Sequence, residues 1–219
     1  MDQTASSLSA RRTAWLVLYA VAMGFFEAAV VVYLRELYYP DGFRFPLVLL
    51  PDRIAWTELG RELTTLIMLL AIAMIAGRDR LDRLFIFGFL FGVWDIVYYI
   101  GLWVFLGWPE SLLTWDILFL IPLPWLGPVL YPLLIALLLI TGFLVHEWLA
   151  RRGQALRLSG IEWVVACTGA AVVVIAFCWN WRTVREGTVP VSFPVWLFAA
   201  GLFAWIVPFI RGFFKGRIE

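Results

Sequence analysis

Along this chain the apolar residues gather into six long runs, near 13 to 34, 55 to 76, 84 to 107, 128 to 148, 161 to 181 and 194 to 213, with polar breaks between them. Each run is close to the roughly 20 helical residues that a hydrocarbon core of about 30 Å requires. A transmembrane barrel would show segments of about 10 residues alternating apolar and polar, whereas these runs are continuous. The pattern predicts an all-α, polytopic integral membrane protein: six transmembrane helices in a single membrane domain over 1–219. The N-terminal MDQTASSLSARR is polar, and the apolar stretch after it lacks a small-residue cleavage site. It is expected as a first membrane helix and not as a removable signal.

The breaks differ in character. Those after spans two and four are short and rich in arginine, while 35 to 54 carries Pro40, Asp41, Gly42, Pro46 and Pro51, and 108 to 127 carries Pro109, Pro122, Pro124 and Gly127. Proline at such points stops helices and stiffens connections. Inside the second long break, WDILFLIPLPW at 115 to 125 is apolar but too short to cross. It predicts a short extracytoplasmic helix near 115 to 121 between helices three and four, interfacial or re-entrant. A lipid-facing position would leave backbone groups unsatisfied. Its TWDILFLI echoes VWDIVYYI at 93 to 100, a match too short to mark a duplication.

Composition agrees with a membrane location: 63% of the residues are hydrophobic and 15% charged, with mean hydropathy +0.89, against about half and a quarter in soluble domains. The net charge of +1 combines sixteen arginines and Lys215 with sixteen acids. With both termini inside, eleven basic residues lie on the cytoplasmic side and six on the outer side, the sense of the positive-inside rule. The expected location is therefore a bacterial cytoplasmic membrane with both termini cytoplasmic. Most of the thirteen tryptophans are expected as interfacial anchors, half-buried with the indole N–H still able to find a partner.

Redox and metal chemistry find little to work with. Cys167 and Cys178 are eleven residues apart on one predicted helix, about 16 Å and too far for a disulfide. His146 is the only histidine, which excludes haem held by two histidines of this chain, and with Glu147 it is expected to complement a negative helix end. No HExxH, CxxC, GxGxxG or Walker pattern occurs, so no metal site is assigned and no cofactor can be named.

Charges that the spans cannot avoid are more informative. Only fourteen uncharged residues separate Glu62 from Gly77, from Leu63 to Ala76, so the second crossing must extend over Glu62, Arg61 and Glu58. Glu58, Glu62 and Thr65 share one helical face with Arg61 at its edge. Glu27 lies just past the middle of span one, on a stripe with Ala20, Gly24 and Val31. In span three Gly88, Gly92, Asp95 and Tyr99 fall on one face, where small residues permit close helix approach. A carboxylate such as Asp95 at that depth costs about 2.5 to 3.5 kcal/mol by insertion scales unless it is paired, protonated or hydrated. Arg35 and Glu36 are expected as an interfacial ion pair, and Asp116 as an acid at the positive end of the short helix.

The expectation is an outward-facing site of Glu27, Glu58, Arg61, Glu62, Asp95, Tyr99 and Asp116 that binds a small or lipid-like molecule. Glu62 and Asp95 could serve acid and base chemistry there. Two alternatives stand beside it: a structural or assembly subunit of a larger membrane complex, and a proton- or cation-coupled transporter, against which the absence of an inverted repeat speaks. The partners expected are the lipid bilayer, a lipid or small-molecule ligand, and a membrane protein docking through helices four to six at small residues such as Cys167, Gly169, Ala170, Ala200 and Ala204. Nucleic acid is not among them.

Overall fold

The computed structural model describes residues 3 to 215, with side chains from 10 to 214. In chain order the elements are α1 (Gln3–Tyr38), α2 (Asp52–Ala76), α3 (Arg80–Leu106), β1 (Trp115–Phe119), β2 (Trp125–Pro128), α4 (Leu130–Arg151), α5 (Gly160–Cys178), α6 (Trp181–Glu186) and α7 (Val195–Lys215). Among the described residues, six helical stretches are long and apolar enough to cross a membrane: Ala10–Tyr38, Asp52–Ala76, Arg80–Leu106, Leu130–Arg151, Gly160–Glu186 and Val195–Phe214. The chain is a multi-pass membrane protein with the six spans that its hydropathy predicts.

The segment at 115 to 121 corrects the expectation of a short helix, since Trp115–Phe119 is a strand paired with Trp125–Pro128. Five residues connect the strands, too few for a parallel crossover, so the pair is an antiparallel hairpin. Trp, Ile and Phe favour the pleated surface. Pro122 and Pro124 lack the N–H groups that a continuing helix would need.

Two compact units make up the chain. The first comprises Met1–Arg44, Leu50–Thr114 and Pro128–Val145, and α3 is its central element. One side of α3 lies against α1: a Cβ added at Gly24 would come 2.7 Å from the Trp94 carbonyl oxygen and from Val97 Cβ, and one at Gly101 would come 2.6 Å from Ala28 Cβ. Another side lies against α4, where a Cβ at Gly92 would stand 2.6 Å from the Ala136 carbonyl oxygen and one at Gly88 would stand 2.9 Å from Leu139. Small residues thus let both neighbours reach the α3 backbone, the packing that replaces the hydrophobic effect inside a bilayer. Phe89 and Phe143 fill the α3–α4 seam with ring centroids 4.3 Å apart. Gly107, with φ of 64°, ends α3 in the left-handed region, and its N–H donates to the Trp103 carbonyl.

The second unit holds Phe45–Leu49, Trp115–Gly127 and His146–Glu219. Its core is the α5–α7 pair, where a Cβ at Gly169 would meet Gly201 O and Ala204 C at 2.7 Å. Gly169 and Ala204, foreseen as contacts for another protein, therefore meet each other within this unit, while Cys167 and Ala200 are exposed. Trp125 stacks on Phe177 at 5.5 Å with the rings 9° from parallel, Phe193 lies tilted against Phe177, and Phe198 packs edge-on against both phenylalanines. Ser159 and Glu162 form a capping box that starts α5: Ser159 Oγ accepts from the Glu162 N–H at 3.3 Å, and Glu162 Oε2 accepts from the Ser159 N–H at 2.8 Å.

Candidate functional site

On α2 the buried positions are Glu58, Glu62, Thr65, Leu69 and Ala73, recurring every three or four residues along one stripe. Its polar half is also its N-terminal half. On α1 the matching buried stripe is Leu16, Ala20, Met23, Glu27, Ala28 and Arg35. Between the two stripes Arg61 does the joining. Its Nη1 donates to Glu27 Oε1, and its Nε and Nη2 donate to Glu58 Oε2 at 2.9 and 2.6 Å. The Arg61 side chain, 16% exposed, thus carries a carboxylate from its own helix and one from α1. Thr65 Oγ1 adds a donor to Glu27 Oε2 at 3.3 Å and also donates to the Arg61 carbonyl at 3.1 Å.

Glu62 is buried on the same face of α2 and, with Tyr98 of α3, lies within electrostatic reach of Arg61. Three buried glutamates therefore surround one arginine. If all were ionised the group would carry a formal charge of −2 within a predominantly apolar span. Arg61 and Thr65 of α2 both reach Glu27 of α1, so side chains bridge the two helices here.

Asp95 and Tyr99 are both buried on α3, but helical geometry puts them on the side of Gly88 and Gly92, which faces α4. The side of Val97 and Gly101 meets α1. Tyr99 contacts Tyr98 and Trp108, with ring centroids 5.0 and 6.4 Å away. Asp116 belongs to the second unit and is fully buried; it stands second in β1 and not at a helix start. Its Oδ1 accepts from the Ile117 N–H at 2.9 Å. Of the seven residues singled out by sequence, Glu27, Glu58 and Arg61 bond directly, Glu62 stands beside them, and Asp95 and Tyr99 occupy a different face of the same unit.

Two polar features escaped the sequence reading. Arg35, foreseen as an interfacial partner of Glu36, is 6% exposed, with its guanidinium 3.7 Å from the Trp108 ring centroid and 4.2 Å from that of Phe43. Glu36 is exposed. The cue was the aromatic content of the flanking loops, since weakly hydrated guanidinium stacks well on indole. The other feature is Asp82, fully buried in the first turn of α3, which accepts from Arg12 Nη1 at 2.8 Å and from Arg78 Nε at 2.9 Å. The Arg78 to Asp82 spacing of four residues was visible, but the reach back to Arg12 required the fold.

This chain matches no protein-family model, no curated protein and no solved structure.

Proposed function

We propose that the first unit binds a small or lipid-like molecule at the group formed by Glu27, Glu58, Arg61, Glu62 and Thr65, with Tyr98 beside it. One observation carries this reading: three buried glutamates converge on a single guanidinium. Buried charge of one sign in excess calls for a proton, a cationic group or water. With both termini cytoplasmic, this group falls in the outer half of the membrane. Asp95 and Tyr99, on the α4-facing side of α3, stand outside this pocket.

The test is to purify the full chain in mild detergent and identify by mass spectrometry whatever accompanies it. The wild type is expected to carry a molecule that Glu62→Gln loses while its melting temperature stays within a few degrees. If the wild type carries nothing, or the variant carries the same molecule, binding at this group is wrong.

A second reading is favoured by the Arg61 bridge itself, because it ties α1 to α2 and would serve a structural subunit equally well. In that case Glu62→Gln leaves abundance and assembly impaired with no small molecule involved. Proton-coupled transport would appear instead as protonophore-sensitive uptake in vesicles.

A further inference from the structure

The end of the first unit where α1 begins and α3 begins carries a second concentration of charge, opposite in sign to the first. Arg12 reaches from α1 to the Ala76 carbonyl oxygen at 3.3 Å and to Asp82, so the fold brings the start of α1, the end of α2 and the start of α3 to one place. Among the first unit's own residues, five arginines (Arg11, Arg12, Arg78, Arg80 and Arg83) gather there against two acids, Asp79 and Asp82. Both aspartates are already engaged. Asp79 caps α3, accepting from the Leu81 and Asp82 N–H groups at 2.9 Å, and Asp82 holds Arg12 and Arg78.

The other three arginines have no ion pair among the described residues. Arg11 and Arg80 are exposed. Arg83 is half-buried with its stem against Gly77, and its Nε is closed off from solvent without an acceptor among the described residues. Such a buried donor is uncommon unless something outside the protein completes it. The α3 N-terminus cannot attract the anion itself, since Asp79 occupies it. The arginines must do so.

We propose that Arg11, Arg80 and Arg83 form a receptor for the phosphate of an anionic phospholipid of the surrounding bilayer. Arginine presents a planar fork of N–H donors that matches phosphate oxygens, and the three residues stand near the ends of two candidate spans, Ala10–Tyr38 and Arg80–Leu106. The Arg12–Asp82–Arg78 bridge acts beneath them as the fixed base, holding α1 and α3 at the spacing from which the free arginines reach one headgroup. This inference is independent of the ligand proposed for the glutamate group.

The experiment measures retention of phosphatidylglycerol against phosphatidylcholine of the same acyl chains, by native mass spectrometry of the detergent-purified full chain. The wild type is expected to retain phosphatidylglycerol preferentially, and each of Arg11→Gln, Arg80→Gln and Arg83→Gln to lower its apparent affinity about fivefold. Arg80→Lys should retain most of the preference. If a glutamine variant fails to fold, raising the salt concentration on the wild type serves in its place and should erode the preference. Equal retention of both lipids by the wild type, a preference unmoved by salt or by the triple glutamine variant, or displacement of the lipid by an equal concentration of inorganic phosphate would each overturn the proposal.

Discussion

At the scale of single residues, glycines carry the packing. Gly169 is in contact with the backbone of α7, so Gly169→Ala should force the helices apart and lower stability by about 1 to 3 kcal/mol. Gly60, with nothing within 4 Å of an added Cβ, is the control: Gly60→Ala should raise stability by up to about 1 kcal/mol through helix propensity. Thermal unfolding in a fixed detergent separates the two, and equal shifts would refute the assigned contacts. The sequence showed which glycines sat on small-residue faces, because periodicity alone places Gly88 and Gly92 together. It could not show which helix each face would meet. Arg35 was misjudged for a related reason, since its partners Phe43 and Trp108 lie across a loop and at the far end of another helix.

At the scale of elements, helix boundaries and tethers were unequally legible. Glu58, Glu62 and Thr65 could be placed on one face from spacing, and that face is buried, but nothing in the spacing said that Arg61 would turn to Glu27 of α1. The expected consequence is strong coupling. Arg61→Gln should cost about 3 to 5 kcal/mol by leaving buried carboxylates uncompensated, and adding Glu27→Gln to it should cost little more. A double-mutant cycle on unfolding checks this, and strict additivity would mean that the bridge contributes nothing. The start of α5 was readable and overlooked: Ser159-Gly-Ile-Glu162 spells a capping box, and Ser159→Ala should cost about 1 kcal/mol. The misread segment at 115 to 121 shows the opposite weakness. A short apolar run bounded by prolines suits strand and helix alike, and only pairing with Trp125–Pro128 decides between them.

At the scale of the whole molecule, the number of spans followed from hydropathy because each crossing needs a fixed length of apolar helix, whereas orientation rests on the arginine distribution. In a cysteine-free background, Asp41→Cys should react with a membrane-impermeant maleimide from outside intact cells and Arg80→Cys only after lysis. The reverse pattern would invert the proposed topology and move the glutamate group to the cytoplasmic half. The β1–β2 hairpin bears on this scale in another way. A pair of strands has two unpaired margins of N–H and C=O groups that oil cannot solvate. Unless other parts of the protein wrap those margins, the hairpin marks a waterline, and the segment that bears it can tilt to suit a thinner bilayer but cannot sink deeper into a thick one.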